Sequence, residues 1–252
     1  MSVTSQLESG LQAQLELARQ VQSSLLPAPR CCLSDWEIAF SYEPASFVSG
    51  DYLDLIPSGA DDFYFALGDV SGKGVAASIL MSHLHATLRA LLPSKQTIPE
   101  VLAVASRTFC YSSLPAQFAT LVLGRADRRG NLELVNAGHT PVILAENKTV
   151  QLIPGTSLPL GMFCGTEFAI TERSISPEST LVLYSDGITE STNNAGMDFD
   201  LTRTIDHLIA KNTLPLPEFL DAIQSSIIDH TGGAQPNDDR TMLALRWSPK
   251  GL

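Results

Sequence analysis

Apolar residues between residues 5 and 26 recur at three- and four-residue steps, at Leu7, Leu11, Ala18, Val21 and Leu25, with Gln14 as the polar member of the series. That period predicts one helix, and Pro27 and Pro29 end it. The same stripe fits an amphipathic helix laid on its own domain, or a short dimerising coiled coil in which Gln14 sets the register. Beyond the prolines the period changes. Trp36 to Tyr42 alternates, and Phe63 to Leu67 is a continuous apolar run that ends in Gly68-Asp69, so both read as strands. Val75 to Leu92 and Ile98 to Tyr111 read as helices, the first closed by Pro93. Strands follow at Phe118–Leu123, Leu132–Asn136, Pro141–Leu144 and Val150–Ile153, with turn chemistry at Arg129-Gly130-Asn131 and Glu146-Asn147-Lys148. A buried strand at Thr180–Tyr184, two helices near 200–211 and 217–230, and an alternating strand at Thr241–Trp247 complete the order. It predicts one β-rich domain with paired helices, residues 31–252, behind a helical arm, residues 1–30.

Composition narrows the function classes. The 252 residues are 44% hydrophobic and 17% charged, enough apolar content for a substantial core. Sixteen Lys and Arg against 27 Asp and Glu give a net charge of -11, which repels phosphate backbones and anionic lipids and argues against nucleic acid and membrane partners. Cys31, Cys32, Cys110 and Cys164 show no CxxC or CxxH spacing; a zinc site and a disulfide framework are not expected, and a reducing cytoplasm is. No run of about 18 apolar residues is evident, so no membrane span is expected.

Four aspartate-bearing turns follow or interrupt apolar strands: Ser49–Asp54, Gly68–Gly74, Ser185–Gly187 and Asn237–Arg240. One such aspartate is ordinarily a turn former or a helix cap. Four gathered at strand ends repel one another unless a cation sits among them, and hard divalent ions such as Mg²⁺ and Mn²⁺ take carboxylate and carbonyl oxygens. Two such ions about 4 Å apart clamp a phosphoryl group and acidify a water. The glycine-rich Gly68–Gly74 stretch is not a Walker loop, because Lys73 is followed by Gly74 and not by Ser or Thr.

The segments FVSGDYLDL, FALGDVSGKGVAASILMSHLHATLRAL, FATLVLG, NLELVNAGHTPVIL, LPLGMF, LVLYSDGITES and NDDRTMLALR, in this order, resemble the SpoIIE/RsbU-type branch of the PPM (protein phosphatase 2C-like) family over residues 13–247. The resemblance implies an α+β fold, an α-β-β-α sandwich of two antiparallel sheets flanked by helix pairs, with the N-terminal helical arm as a linker to sensors. It also implies a metal-dependent serine/threonine phosphatase with two Mn²⁺ or Mg²⁺ ions. Asp69 would bridge the ions and the Val70 carbonyl would help hold one. Asp186 and Asp238 would complete the site, Asp51 would be a ligand directly or through water, and Asp54 and Asp239 would stand behind them. Catalysis would rest on Asp69, Asp186 and Asp238 through water activated on the metal, without a phosphoenzyme. The implied substrate is a phosphorylated STAS-domain anti-anti-sigma protein, and an upstream sensor or activator, or a second copy of the chain, would engage the arm and reposition the Val75 helix.

Three departures stand out: Ser49 replaces a glycine in GGD, LGMF replaces LG followed by a small residue or proline, and no Arg lies between Arg30 and Asp51 to grip phosphate. A catalytically silent module that sequesters the same partner is the rival reading, and a small-molecule phosphoesterase is a third. The intact set of aspartates favours the enzyme. His139 in NAGHTP is a candidate general acid, with a hydrogen-bonded turn histidine, braced by Asn136, as the simpler reading. His83 and His85 read as core or interface residues, and Lys73 as a solvated cation or a phosphate contact.

Overall fold

A computed structural model describes residues 3–94, 96–146 and 149–249, the side chains of 3–7 excepted. In chain order the elements are α1 (Val3–Ser23), β1 (Arg30–Leu33), β2 (Trp36–Glu43), β3 (Asp51–Ser58), β4 (Asp62–Val70), α2 (Gly74–Leu91, continued by a 3₁₀ turn over Leu92–Ser94) and α3 (Ile98–Ser112). Then come β5 (Ala119–Asp127), β6 (Asn131–Ala137), β7 (Val142–Glu146), β8 (Thr149–Ile153), β9 (Thr171–Ser174) and β10 (Thr180–Tyr184). The chain closes with α4 (Asp186–Thr189), α5 (Asp200–Lys211), α6 (Leu216–Thr231) and β11 (Arg240–Trp247). One antiparallel sheet has the order β1-β2-β11-β10-β7-β8 and the other β3-β4-β5-β6-β9. The fold is the expected α-β-β-α sandwich.

Alternation along each strand builds three apolar layers. Leu53, Leu55, Phe65 and Leu67 of one sheet meet Ile38, Leu183, Leu243 and Leu245 of the other in the sandwich interior. The outward face of the five-stranded sheet, including Tyr52, Ala66 and Leu121, packs on Leu84 and Leu88 of α2 and Val101 and Phe109 of α3. Val182, Tyr184 and Ala244 pack outward against Leu208 of α5 and Phe219 and Ile223 of α6. Helix boundaries follow local chemistry. Thr97 and Glu100 form a reciprocal capping box at the start of α3, and Gly232, in the left-handed conformation, caps α6.

Several expectations are corrected. The arm helix ends at Ser23, and a turn carries Leu25. Leu11 and Val21 are 59% and 65% exposed, so over residues 8–21 the helix does not lie on its own domain; the seam side chain of Leu7 lies outside the described residues, as do Asn147 and Lys148 of the second hairpin turn. Strands β1, β3 and β9 were not predicted: β1 and β9 are four residues long and bury little, and Asp51–Asp54, expected in a turn, instead opens the buried strand β3. Cys110 and Cys164 form a disulfide with Cα atoms 5.6 Å apart, against the expectation of unpaired thiols; the loop after Leu160 brings together cysteines 54 residues apart, which spacing motifs do not register. Residues 74–94 are, by length and composition alone, long and apolar enough to cross a membrane, yet Ala77, Leu80, Met81, Leu84 and Leu88 are buried against the sheet and α3.

Candidate metal-binding active site

Asp51 and Asp69 are direct partners in the β3–β4 register. Both follow the parity of Leu53 and Leu67, so their carboxylates point between the sheets at the open end of the sandwich, where facing side chains are about 5 Å apart. From the other sheet, Asp186 opens α4 directly after β10, and Asp238 and Asp239 precede β11. β10 and β11 are neighbours, so the two pairs of motifs reach the same end from opposite sheets.

Struts hold these turns together. The Asp239 carboxylate accepts from Ala45 N (2.8 Å) and Gly50 N (2.9 Å), tying the segment before β3 to the other sheet. Thr241 Oγ1 donates to Asp51 Oδ2. Ser185 Oγ donates to the Asp239 carbonyl (3.1 Å) and accepts from Thr241 N (2.9 Å). Gly187 allows α4 to lie against this loop, since a Cβ there would stand 2.2 Å from the Asp239 carbonyl oxygen. At the arm, Gln22 is buried, with Nε2 donating to Ser49 O (2.8 Å) and Oε1 accepting from Ser49 N (2.9 Å). Ser49 Oγ in turn accepts from Asp51 N (3.0 Å), which gives the Ser49 departure a role that glycine would not fill.

The electrostatics are those of a crowded anionic cluster. Burial, then Asp69, raises the Asp51 carboxyl well above its ordinary range. Asp69 is pushed up to about 7 by burial and by Asp186, Asp238 and Asp239, with Lys73 pulling the other way. Burial and Asp238 raise Asp186. Oxygens other than carboxylates converge as well: a Cβ on Gly50 would fall 3.1 Å from the Val70 carbonyl oxygen and 3.3 Å from Asp69 Oδ1, so that glycine leaves open a cradle lined by two of the expected ligand atoms. Hard oxygens lacking a matching positive charge fit Mg²⁺ or Mn²⁺. Among the described residues no three Asp, Glu, His or Cys side chains close around one point; Asp238 Oδ2 lies 2.6 Å from Lys73 Nζ and Asp51 is held by Thr241.

The remaining candidates sort by position. Asp54 stands on the opposite face of β3, where Arg89 grips both its oxygens (2.8 and 2.7 Å) and Tyr52 donates to it, so it does not stand behind the cluster as expected. Asp239 does. His85 Nε2 lies 3.6 Å from Asp54, and His83 packs edge-on to Phe109; both are half-buried packing residues of α2, away from the carboxylate cluster. His139 is buried, its N bonded to Asn136 Oδ1 (2.9 Å) and its Nδ1 paired with Thr120 Oγ1 (2.8 Å), while Thr140 bonds the Tyr184 carbonyl. Burial draws its pKa down to about 4; the Tyr184 carbonyl opposes that only weakly, since Nε2 makes no hydrogen bond within normal geometry. A neutral histidine bracing the turn between the sheets matches the simpler reading. Gln22, Ser185, Thr241 and the close approach at Gly187 escaped the sequence reading; Gln22 lies off the seam series, and no local period marks it.

The sequence profile of the SpoIIE family (Stage II sporulation protein E) matches residues 59–248. The chain belongs to the SpoIIE family. The match begins beyond Asp51, so that aspartate rests on the geometry above. Among SpoIIE relatives, Protein IcfG of Synechocystis sp. is 31% identical over 261 residues, covering 92% of this chain and 41% of that protein. Phosphoserine phosphatase RsbP of Bacillus subtilis is 25% identical, covering 95% of this chain and 59% of that one. The chain therefore spans about half the length of these two relatives. Of solved structures, the SiaA-PP2C domain of Pseudomonas aeruginosa superposes with a TM-score of 0.84 at 21% identity, covering 96% of this chain and 99% of that domain, and shares the fold.

Proposed function

We propose that this chain is a metal-dependent protein serine/threonine phosphatase acting on a phosphorylated STAS-domain regulator in a partner-switching, sigma-controlling pathway. The observation that carries the reading is the convergence of Asp51, Asp69, Asp186 and Asp238 with the Val70 carbonyl at one end of the sandwich, where burial and the neighbouring carboxylates drive Asp51, Asp69 and Asp186 above their ordinary range. These residues would hold two Mn²⁺ or Mg²⁺ ions. Bound there, such ions supply Lewis-acid activation of water and neutralise phosphoryl charge. The chain's own contribution is to keep those carboxylates aligned: Asp239 and Thr241 fix the Asp51 turn, Ser185 and Gly187 fix the Asp186 turn. No cysteine lies among them, so no thiol nucleophile is required.

The relative RsbP bears the name phosphoserine phosphatase, which supports the substrate class. We place the phosphatase unit at residues 31–252 and the linker arm at 1–30. The exposed Leu11, Leu17 and Val21 stripe supports the arm as the contact for a second copy or an upstream activator. The net charge of -11 supports a cytoplasmic protein without nucleic acid or membrane partners, where the Cys110–Cys164 pair would meet reducing thiols. The silent-module rival is separated by one measurement, phosphate release from a phosphoserine STAS protein with Mn²⁺, with chelator, and with Asp186→Asn. Release that needs metal and disappears in the variant is expected. Partner binding without release under any metal would replace the enzyme by the sequestering module.

A further inference from the structure

Lys73 stands where local physics disfavours it. It is the N-cap of the 18-residue helix α2, a position that favours Ser, Thr, Asp or Asn, and its cation faces the positive end of the helix dipole. Its side chain makes no capping bond. Gly72 (φ +97°) and Gly74 (φ +69°) flank it in left-handed conformations with open space around both, so these glycines serve to turn the backbone and present the lysine at the tip. The side chain is 64% exposed, yet it is not idle: Nζ lies 2.6 Å from Asp238 Oδ2 and 2.8 Å from the Asn237 carbonyl. Its charge is felt at Asp69, Asp186 and Glu190. Lys73 and Asp238 also line a cleft of about 260 Å³ with Gly187, Glu190, Ser191 and Asn237, opening beside the carboxylate cluster. A residue placed against cap preference and dipole, and held by a carboxylate of the site, signals function more than folding.

We propose that Lys73 is a displaceable guard of Asp238 that becomes the phosphate grip of the site: it pairs with Asp238 while that carboxylate has no metal, yields it to the incoming divalent cation, and then engages the phosphoryl oxygens of substrate in the adjoining cleft. The proposal rests on the phosphatase reading for its second half only. An exposed ion pair is weak and reversible, which a guard requires, whereas a lysine–phosphate contact in a cleft walled by carboxylates is charge-assisted.

The test uses the full chain and two calorimetric titrations, Mn²⁺ into metal-free protein and inorganic phosphate into Mn²⁺-loaded protein, for wild type, Lys73→Met and Lys73→Arg. Lys73→Met is expected to bind Mn²⁺ about three- to fivefold tighter, since the competing ion pair is gone. The same variant is expected to bind phosphate at least about tenfold more weakly, and Lys73→Arg to recover most of that loss. A melting midpoint unchanged in Lys73→Met will show that the fold is intact, as its exposed site leads one to expect. Mn²⁺ affinity no tighter than wild type, or phosphate affinity equal to wild type, overturns the proposal. Neither titration needs turnover, so a wild type that binds both ions but releases no phosphate from phosphoprotein refutes the phosphatase reading and with it the substrate grip, and leaves the guarding of Asp238 by Lys73 standing.

Discussion

Replacing Gly187 by alanine tests whether the Asp186 and Asp238 turns work as one unit. A Cβ at this position would meet the Asp239 carbonyl oxygen at 2.2 Å, its carbon at 3.0 Å and the Asp238 carbonyl carbon at 3.3 Å, where ordinary contacts begin at 3.4 Å. All three atoms are backbone, so no side-chain rotation relieves the overlap, and α4 must move from the loop by about 1 Å. The loop resists, because the Asp239 carbonyl is bonded to Ser185 and its carboxylate to Ala45 and Gly50. Overpacking of this kind costs about 1–3 kcal/mol of stability, and a 1 Å misplacement of reacting groups costs on the order of 10²-fold in rate. Urea unfolding, Mn²⁺ calorimetry and phosphate release should therefore show a folded protein with weakened metal binding and turnover reduced about a hundredfold. Gly10→Ala is the control, lying in α1 with nothing within 4 Å of the added carbon. Gly187→Ala with Mn²⁺ affinity and turnover within threefold of wild type would refute the coupling of the two turns.

Gln22→Ala removes both bonds to the Ser49 backbone and should cost about 2 kcal/mol and weaken Mn²⁺ binding by loosening the Asp51 turn, whereas removal of residues 1–26 with oligomeric state and turnover both unchanged would end the case for the arm as an input. Opening Cys110–Cys164 with dithiothreitol should lower unfolding free energy by about 2–4 kcal/mol, and Cys164→Ser should show the same loss without reductant; identical unfolding curves would mean that the crosslink does not restrain this chain. His139, held to about 4 in the fold against an ordinary 6.5, stays neutral while the unfolded chain takes a proton, so its contribution is whole above pH 6.5 and is lost as pH falls toward 4, about 3 kcal/mol in all. Metal-free Asp69, raised to about 7, works the other way, binding its proton first in the fold and adding stability as pH falls from 7 toward 4. Urea titrations at pH 7 and pH 4 should show His139→Gln gaining on the wild type in acid by about that amount, and a constant difference between them would contradict a buried neutral His139.

How much of this was written plainly in the chain depends on how local the signal is. The helices α2, α3 and α6 and the strands β2, β4, β10 and β11 fell where period and punctuation put them, because each buries a regular face. Edge strands β1 and β9 bury little and are four residues each, too short for a period to stand out. The aspartates were visible as candidates because Asp51, Asp69 and Asp186 sit beside glycine at strand ends and Asp238 and Asp239 just before an apolar strand, but spacing could not tell Asp54 from Asp51. That difference is set by strand parity and by Arg89, which lies 35 residues away on a helix. The struts were invisible for the same reason: Asp239 to Gly50, Thr241 to Asp51 and Gln22 to Ser49 join segments 189, 190 and 27 residues apart, and none leaves a mark within its own segment.

Asp51 and Asp54 make the case for an external cation better than the cluster as a whole. Both are buried on one strand, three residues apart, in the same sheet and under comparable desolvation. The odd separation sends them to opposite faces. On the helix side, Asp54 receives a two-pronged guanidinium, a phenol and a backbone N–H, so its charge is answered within the chain. On the inter-sheet side, Asp51 receives the hydroxyls of Thr241 and Ser185 and faces further carboxylates, and Lys73 spends its charge on Asp238 at the rim. A fold that can supply an arginine to one buried aspartate has not done so for the other, and has set Asp69 directly across from it. Such an arrangement is costly in isolation and becomes favourable when a divalent ion enters. If a divalent ion binds there, the same struts that hold the repelling carboxylates in place would leave little reorganisation to follow its binding. Under the proposed function, geometry built in advance of the metal charge is what would let this site stabilise a phosphoryl transition state more than a ground state.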